Sequence, residues 1–412
     1  MPLGLGHLKG GLSSMLSTPE KSANTGTTSA AESIDDIDEI DGGSQSILMG
    51  IISQLRPGCD LSRITLPTFI LERKSMLERI TNQLQQPELL LEARHTADAT
   101  ARFVGVVKWY LSGWHIAPKA VKKPLNPVLG EHFTCYWDLP GSGERAYYIA
   151  EQTSHHPPES AYFYAIPDQH LRVDGLVIPK SRFLGNSTAA MMEGKTILTF
   201  EDLVNANKVA EAYVLTQPNM YARGILIGNL KLELGDQMVI SCENLGLEAR
   251  IEFKTKGFIY GTYDAIEGII RDVNTGQELY EISGKWNEIM YLKDLATGTK
   301  TVLLDTSKAQ PLPPSVRPLS EQSEFESRRL WHDVTEALSA RNHEQATDAK
   351  FKIEDAQRIR AKLGNEVVPR FFKKTKAGDV LPYRIAADLS LTDPKQRAQA
   401  ILALAPILPE SQ

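Results

Sequence analysis

The chain has 412 residues and carries 45 lysines and arginines against 51 aspartates and glutamates, a formal net charge of −6 at pH 7. This balance excludes a surface built throughout for nucleic acid, so any anion-binding site must be local. No stretch reaches the ~18 to 20 apolar residues of a membrane span. Three widely spaced cysteines favour a reducing compartment over a disulfide framework: Cys59, Cys135 and Cys242. We therefore expect a cytoplasmic protein that meets membranes peripherally.

The N-terminal part of the chain falls into two segments of contrasting composition. Residues 1–45 are rich in Ser, Thr, Gly and Ala and then acidic, with too few large apolar side chains to fold alone, so we predict a disordered leader. A short membrane-touching helix is the alternative, because Leu5, Leu8 and Leu12 recur at helical spacing, although glycines between them weaken it. Residues 46–66 begin with the apolar SILMGIISQL, which is too short to span a bilayer and needs a cover or a cavity.

The rest of the chain changes from helical to strand patterning and back. Residues 67–129 contain two runs in which apolar residues return every three or four positions, which predicts helices. Residues 130–305 alternate and are rich in β-branched side chains, with Gly, Asn and Asp at the breaks, which predicts a long antiparallel sheet or barrel. Residues 306–412 return to helical spacing after QPLPPSVRP. The predicted fold class is α+β.

The stretch EQTSHHPPES, residues 151–160, places His155 and His156 before two prolines. Adjacent side chains on a strand point to opposite faces, so these histidines are poorly placed to share an ion, and we expect no metal site. Ser154 beside His155 does not indicate a triad, and the sequence has no G-x-S-x-G motif, so we expect no catalytic residues. Two interpretations stay open: imidazole donors for an anion, or a proline-stiffened turn with surface histidines.

The stretch AAMMEGKT carries Gly194, Lys195 and Thr196 in the order that ends a phosphate-binding loop. The first glycine of that motif would fall at Ala189, and GKTILTF continues as a strand where such a loop must open a helix. We interpret the stretch as a hairpin that leads into a strand, and we expect no cofactor.

Two other stretches present basic side chains. Lys350, Glu354 and Arg358 have i, i+4, i+8 spacing, which places them on one helical face, with Ala356, Ile359 and Leu363 as an apolar stripe on roughly the opposite side. In KKPLNPVLGE, prolines flank Asn126 in a rigid segment that could present Lys123 and the Asn126 amide to a ligand. A solvated helix face and a surface turn are the respective alternatives.

Taken together, these stretches are more specific than any one of them alone. EQTSHHPPES and KKPLNPVLGE resemble, in the expected order, two signatures of the oxysterol-binding-protein-related family of lipid transfer proteins, and KFKIEDAQR is similar to the third. The chain resembles a short form of the family. The resemblance implies one lipid-binding domain over residues 46–400: a large incomplete antiparallel β-barrel around a hydrophobic tunnel, with 46–66 as a lid and helices before and after the barrel.

The family resemblance also implies a binding site for the headgroup of phosphatidylinositol 4-phosphate. A phosphomonoester carries close to two negative charges, which suits clustered lysine, arginine and histidine donors. Glu354 would orient Lys350 and Arg358 or accept a hydrogen bond from an inositol hydroxyl. The site residues implied in this way are Lys123, Asn126, His155, His156, Lys350, Glu354 and Arg358.

A weaker resemblance implies the identity of the second lipid that the protein binds. ITLPTFILERKSMLERI, residues 64–80, resembles the phosphatidylserine-carrying branch of the family more than its sterol-carrying branches. By that analogy Leu66, Phe69 and Ile70 line the tunnel, and Ser181 contacts the serine headgroup. Ordinary core packing is the alternative for Leu66 and Phe69.

The expected function is exchange of phosphatidylinositol 4-phosphate for phosphatidylserine between membranes, without enzymatic activity. We expect a monomer, peripherally associated with contact sites of the endoplasmic reticulum with the plasma membrane or Golgi, and no nucleic acid partner. A sterol exchanger with the same phosphoinositide site is the first alternative. A phosphoinositide sensor that does not move lipid is the second.

Overall fold

The structure is a computed structural model that describes residues 56–60, 67–116, 121–225, 230–256, 261–364 and 367–410. All of these residues belong to one compact unit. The predicted leader, residues 1–45, and the apolar SILMGIISQL lie outside the described residues, and of the predicted lid segment only residues 56–60 are described. The predicted domain boundaries therefore stay predictions.

Helices precede and follow the large sheet in the sequence. They are α1 (Met76–Arg79), α2 (Pro87–His95), α3 (Ala99–Ser112), α4 (Ser327–Leu330), α5 (His332–Ser339), α6 (His343–Lys362) and α7 (Pro394–Leu404). α3 begins after Asp98, whose carboxylate accepts a hydrogen bond from Ala101 N at 2.8 Å. Gly105 allows α2 and α3 to approach closely, because a Cβ at that position would lie 2.8 Å from Ala93 Cβ.

The strands form one large antiparallel sheet and two small sheets. They are β1 (Leu71–Ser75), β2 (Lys123–Leu125), β3 (His132–Asp138), β4 (Arg145–His155), β5 (Pro158–Ile166), β6 (Leu171–Val177), β7 (Pro179–Phe183), β8 (Ser187–Met192), β9 (Thr196–Val204), β10 (Ala210–Leu215), β11 (Asn219–Arg223), β12 (Lys231–Cys242), β13 (Leu247–Lys254), β14 (Ala265–Asp272), β15 (Glu278–Lys285), β16 (Ile289–Asp294), β17 (Lys300–Asp305), β18 (Phe372–Lys374) and β19 (Tyr383–Ile385).

The large sheet is an open barrel. Its 15 strands follow the order β17, β16, β15, β14, β13, β12, β10, β9, β6, β5, β4 and β3, while β11, β8 and β7 branch from β12. Among the described residues the end strands β17 and β3 do not pair with each other, so the sheet does not close. This confirms the predicted α+β fold with an incomplete antiparallel barrel.

The regions predicted as helical also contain short strands. In the N-terminal region β1 pairs with β2 in parallel, and in the C-terminal region β18 pairs with β19 as a hairpin. These strands are only three to five residues long, so their sequences carry too little periodicity to predict them. The stretch AAMMEGKT runs from β8 into β9, so the predicted strand after it is present, but β8 pairs with β7 and β11 and not with β9, so the predicted hairpin was wrong.

The main core lies between α3 and one face of the sheet. Phe103, Trp109 and Tyr110 of α3 are fully buried, and the Phe103 ring lies 5.9 Å from that of Tyr213 on β10. Along β13, buried residues alternate with less buried ones, as a strand with one covered face requires. A buried ion pair joins helix to sheet: Arg102 Nε and Nη2 donate to the two oxygens of Glu211, each at 2.7 Å.

Strands β4 to β6 are covered on both faces. C-terminal residues such as Phe371, Leu381 and Ile401 pack against Ile149 and Phe163 of these strands and form a second core. The middle of β4 is consequently buried at eight successive residues. A strand buried on both faces has no polar alternation. The alternation predicted for AYYIAEQTS was therefore wrong, because a distant part of the chain covers the second face.

Candidate functional site

A cavity of about 290 Å³ lies beside β2, the β4–β5 turn and the branch strands β7, β8 and β11. Much of its wall is apolar, including Met76, Leu125, Met192, Met220 and Leu232. Polar side chains share the lining, including Lys123, Asn126, His155, His156 and Ser181. A largely apolar wall with a few polar groups suits a ligand that has a hydrocarbon body and a charged head.

Lys123 begins β2, and the loop that follows with Asn126 is held by one buried carboxylate, that of Glu131. Its oxygens accept hydrogen bonds from Val128 N at 3.0 Å, Ser327 Oγ at 2.7 Å and Trp331 Nε1 at 2.9 Å. Ser75 Oγ donates a further hydrogen bond. Burial raises the pKa of Glu131, and these donors oppose that shift. The Glu131 carboxyl thereby ties this loop to the end of β1 and to α4.

Lys123 lies on β2 with its side chain partly open to solvent. Loss of water around the ammonium group, and then repulsion from Lys350, lowers the pKa of Lys123. The carboxylates of Glu354 and Asp60 oppose that shift. Within the described chain Lys123 Nζ donates no hydrogen bond, so it is available to a bound anion.

Helix α6 supplies the remaining charges. Lys350 Nζ donates to Glu354 Oε1 at 2.5 Å, as the sequence predicted. Arg358 pairs instead with Asp355, at 3.2 Å from Nη2 to Oδ1, so Glu354 orients only one of its two predicted partners. α6 is fixed to the Asn126 loop by Leu129 N, which donates to Gln357 Oε1 at 2.9 Å.

The two histidines lie where β4 turns into β5. Their ring centroids are 4.6 Å apart, so the prediction that the side chains diverge was wrong: β4 ends at His155, and His156 already belongs to the turn. Burial, and then the charge of His156, lowers the pKa of His155, while Glu354 and the Pro127 backbone oppose that shift. His155 Nδ1 is buried without a hydrogen-bond partner in the described structure.

These observations define a headgroup cluster: Lys123, Asn126, His155, His156, Lys350 and Glu354. The first four line the cavity, and the charges of Lys350 and Glu354 act on Lys123. The charge of Glu354 also acts on His155. Arg358 lies one turn beyond Glu354 and is absent from the cavity lining formed by the described residues. The structure therefore brings together all of the predicted headgroup residues except Arg358.

The residues predicted for the second lipid separate into three groups. Ile70 and Ser181 line the same cavity as the headgroup cluster. The Phe69 ring does not, since it packs edge-on against His343 of α6 with centroids 6.1 Å apart, so the packing alternative describes it better than the tunnel. Leu66 lies outside the described residues.

Sequence reasoning missed several polar residues of the cavity. Gln152 and Ser160 line it, and Ser160 Oγ donates to Gln152 Oε1 at 2.5 Å. Both belong to EQTSHHPPES, so their place in that stretch was the available signal. Arg79 also lines the cavity and donates to Ile116 O at 2.9 Å. Its sequence neighbourhood gives no such signal, because an arginine at the end of an apolar helical run is common.

Comparison with known proteins relates this site to a family. A family model described as "Oxysterol-binding protein" matches residues 50–337. The chain belongs to the oxysterol-binding protein family. Members of this family bind and transfer lipids. The resemblance carried by the three sequence stretches is thereby confirmed.

Two curated relatives in the family are yeast proteins. The chain is 59% identical over 399 residues to "Oxysterol-binding protein homolog 6" of Saccharomyces cerevisiae, which covers 95% of this chain and 88% of the relative. It is 61% identical over 373 residues to "Oxysterol-binding protein homolog 7" of the same organism, which covers 89% of this chain and 84% of the relative.

Solved structures of the family share the fold. The Osh1 ORD domain in complex with cholesterol matches with a TM-score of 0.71 at 24% identity, over 89% of this chain and 91% of that chain. The Osh3 ORD in complex with PI(4)P from Saccharomyces cerevisiae matches with a TM-score of 0.64 at 20% identity, over 90% and 98% of the two chains. In this protein, no helix among the described residues is long and apolar enough to cross a membrane.

Proposed function

We propose that this member of the oxysterol-binding protein family binds phosphatidylinositol 4-phosphate at the headgroup cluster and exchanges it for phosphatidylserine. The observation that carries the proposal is the meeting of Lys123, His155 and His156 at one largely apolar cavity, with Lys350 close enough to shift the pKa of Lys123. Lysine and histidine donors that are not all paired with carboxylates are suited to bind an anionic ligand.

The headgroup chemistry follows from the charges of the cluster. A phosphomonoester brings close to two negative charges, which would relieve the repulsion between Lys123 and Lys350. His155 has an unpaired Nδ1 that can donate to a phosphate oxygen once that nitrogen is protonated. Glu354 holds Lys350 in place through their hydrogen bond of 2.5 Å, and an inositol hydroxyl can donate to its free oxygen. The acyl chains would occupy the apolar part of the cavity.

Phosphatidylserine is the proposed second lipid, and it would compete for the same cavity. Ile70 and Ser181 line that cavity beside the headgroup cluster, which supports a shared site for two phospholipids. Since one molecule is carried at a time, a gradient of the phosphoinositide maintained by other proteins would drive net transport of phosphatidylserine. No bond is made or broken in this cycle. We place the exchange at contact sites of the endoplasmic reticulum with the plasma membrane or Golgi.

A sterol is the second candidate for the exchanged lipid. The observation in its favour is the shared fold with an Osh1 ORD domain that was solved with cholesterol. An apolar cavity wall alone does not distinguish a sterol from acyl chains.

Lipid extraction from vesicles tests the proposal. Vesicles containing labelled phosphatidylinositol 4-phosphate, phosphatidylserine or sterol are incubated with the native protein and with the double variant His155→Ala, His156→Ala. We expect the native protein to extract both phospholipids and the variant to lose phosphoinositide extraction by about tenfold or more, as for lost charge-assisted hydrogen bonds. His95→Ala, an exposed histidine on α2 outside the cavity lining, is the matched control and should extract normally.

Three results would contradict parts of this proposal. Normal phosphoinositide extraction by the double variant would remove the histidines from the site. Sterol extraction without phosphatidylserine extraction would replace the second lipid while leaving the headgroup cluster in place. Binding without transfer between donor and acceptor vesicles would make the protein a sensor.

A further inference from the structure

Helix α6 has an apolar face that the described part of the chain does not cover. Phe351, Ile359 and Leu363 are 57%, 51% and 70% exposed. Residues spaced by four or seven to eight positions lie on the same side of a helix, so these three side chains form one stripe. The opposite side of α6 packs on the protein through Ala346 and Gln357, which are buried. The stripe predicted from Ala356, Ile359 and Leu363 therefore faces solvent.

Basic side chains are interleaved with this stripe. Lys352 and Lys362 are exposed between the apolar residues. The Arg358 guanidinium lies 5.2 Å from the centre of the Phe351 ring and pairs with Asp355. From Phe351 to Leu363 this side carries Asp355 as its acidic residue, so the stripe itself has an excess of positive charge, while Glu344 and Asp348 lie on the same side in the preceding turns.

One edge of the stripe, at Phe351, lies near the headgroup cluster on the surface of α6. Lys350 and Glu354 belong to the cluster, and Phe351 and Arg358 follow them around the helix, before Ile359 and Leu363. A surface that contacts Phe351 would consequently lie near the cluster, while Ile359 and Leu363 extend the stripe to roughly the opposite side of α6 from Lys350 and Glu354.

We propose that this outer face of α6 docks the protein on an anionic lipid bilayer. Phe351, Ile359 and Leu363 would enter the boundary between headgroups and acyl chains, and Lys352 and Lys362 would meet lipid phosphates. A bilayer fits better than a protein partner, because lysine is depleted from the centre of protein interfaces, whereas here it alternates with the apolar residues. The inference rests on the proposed function, since a protein that exchanges lipids must contact the membrane that supplies them.

Another exposed apolar side chain provides a matched control. Val302 on β17 is 57% exposed, the same fraction as Phe351, but it lies on the end strand of the sheet and outside the cavity lining. If exposed hydrocarbon anywhere on the protein promotes vesicle binding, Val302 must matter as much as the α6 stripe. If docking is specific to α6, Val302 is neutral.

Sedimentation with vesicles tests the proposal. The vesicles contain phosphatidylcholine with or without phosphatidylserine, and no phosphoinositide. Three proteins are compared: the native protein, the double variant Ile359→Asp with Leu363→Asp, and the single variant Val302→Asp. We expect the α6 double variant to bind anionic vesicles at least about tenfold more weakly than the native protein. The Val302 variant should bind like the native protein, and thermal unfolding should be unchanged for all three.

A second double variant keeps the test decisive if the introduced aspartates disturb folding. Lys352→Ser with Lys362→Ser keeps the apolar stripe and should weaken binding to phosphatidylserine vesicles by about fivefold per lysine, with little change on neutral vesicles. Normal vesicle binding by both double variants would overturn the docking proposal. Failure of the native protein to bind anionic vesicles would also overturn it.

A water-soluble, short-chain phosphatidylinositol 4-phosphate separates this inference from the proposed function. Its binding needs the headgroup cluster but no membrane, so all α6 variants should bind it like the native protein. If the native protein binds the soluble lipid and the α6 variants sediment with anionic vesicles as the native protein does, docking on α6 fails and the proposed function stands. If the native protein binds vesicles but not the soluble lipid, and the α6 variants lose vesicle binding, the proposed function fails and the docking face stands.

Discussion

The Arg102–Glu211 pair and the headgroup cluster are both partly withdrawn from water, but they differ in how completely their charges are paired. The Arg102 guanidinium donates to both Glu211 oxygens and to the carbonyls of Thr96 and Ala97, and Tyr213 completes the set by donating to Glu211. In the headgroup cluster, the ammonium of Lys123 faces a second lysine, and His155 Nδ1 has no partner in the described structure.

This difference distinguishes charges that stabilise the fold from charges that can bind a ligand. A saturated pair stabilises one conformation and has nothing left to offer a ligand. A cluster with unpaired donors costs stability in the empty protein and recovers that cost when an anion binds. Substitutions in the first region should therefore change the free energy of unfolding, and substitutions in the second should change ligand affinity.

The largest effect is expected for Glu211→Ala. It leaves the Arg102 charge buried without its carboxylate, which should lower the free energy of unfolding by about 3 to 5 kcal/mol. Urea denaturation of the ligand-free protein measures this. Glu248→Ala is the control, because Glu248 pairs with the more exposed Arg250 and Arg271 at the surface and should cost less than about 1 kcal/mol. Equal losses in the two variants would contradict the distinction.

A smaller effect on a different quantity is expected for Lys123→Met. The substitution removes one charge-assisted contact to phosphate, so affinity for soluble phosphatidylinositol 4-phosphate should fall about tenfold to hundredfold. The free energy of unfolding should not fall, because the repulsion between Lys123 and Lys350 disappears. Titration calorimetry and urea denaturation measure the two quantities. Lys395→Met, an exposed lysine on α7, serves as the control, and an unchanged affinity in Lys123→Met would place the phosphate elsewhere.

The smallest expected effect is a pH dependence of binding. Because the pKa of His155 lies below its usual value near 6.5, this ring is neutral in the empty protein at pH 7. A bound phosphate raises that pKa, so binding takes up a proton, and affinity should increase as pH falls from about 7.5 to 6.5, by less than about tenfold per unit. The His155→Asn variant should show a flatter profile. A native profile that matches the His155→Asn profile would be incompatible with His155 as a phosphate donor, because the variant keeps the titration of the phosphate itself.

The same pKa shift works against folding at lower pH. A neutral form favoured by the folded state means that the unfolded chain takes up the proton first. The contribution of His155 to stability is therefore complete well above its unfolded pKa near 6.5, and it diminishes as pH falls through that value toward the lower folded pKa. A bound phosphoinositide should reverse this trend.

Local sequence patterns predicted the parts of the fold that depend on local contacts. The alternation in β13 and the helical spacing in the first part of α3 both correspond to one covered face, which periodicity reports directly, whereas residues 109–112 at the end of α3 are buried on all sides. The two-sided burial of β4 could not be predicted, because Ile401 and Phe371 reach it from the far end of the sequence. The β1–β2 pair was missed because both strands are short and because a parallel pair needs a long connection, here the segment that contains α1 to α3.

The candidate site was predictable where a stretch of sequence carried several of its residues together. EQTSHHPPES and KKPLNPVLGE contain the two histidines, Lys123 and Asn126, and these four line one cavity. The partner of Arg358 was not predictable, because Glu354 and Asp355 are both within reach on a helix and only side-chain conformation decides between them. Neither the direction of the Phe69 ring nor the presence of Arg79 in the wall follows from spacing.

The hydrogen bonds of Glu131 also bear on how the protein acquires its site. Ser327 and Trp331 donate to this carboxylate across 196 and 200 residues of sequence. Contacts of such high sequence separation form late, after most of the loop entropy has been lost. During synthesis, the Asn126 loop therefore cannot form its final contacts until the C-terminal helices have left the ribosome. A chain truncated after β17 would keep both histidines and all 15 strands of the large sheet, yet it would lack Lys350 and the hydrogen bonds from Ser327 and Trp331 to Glu131.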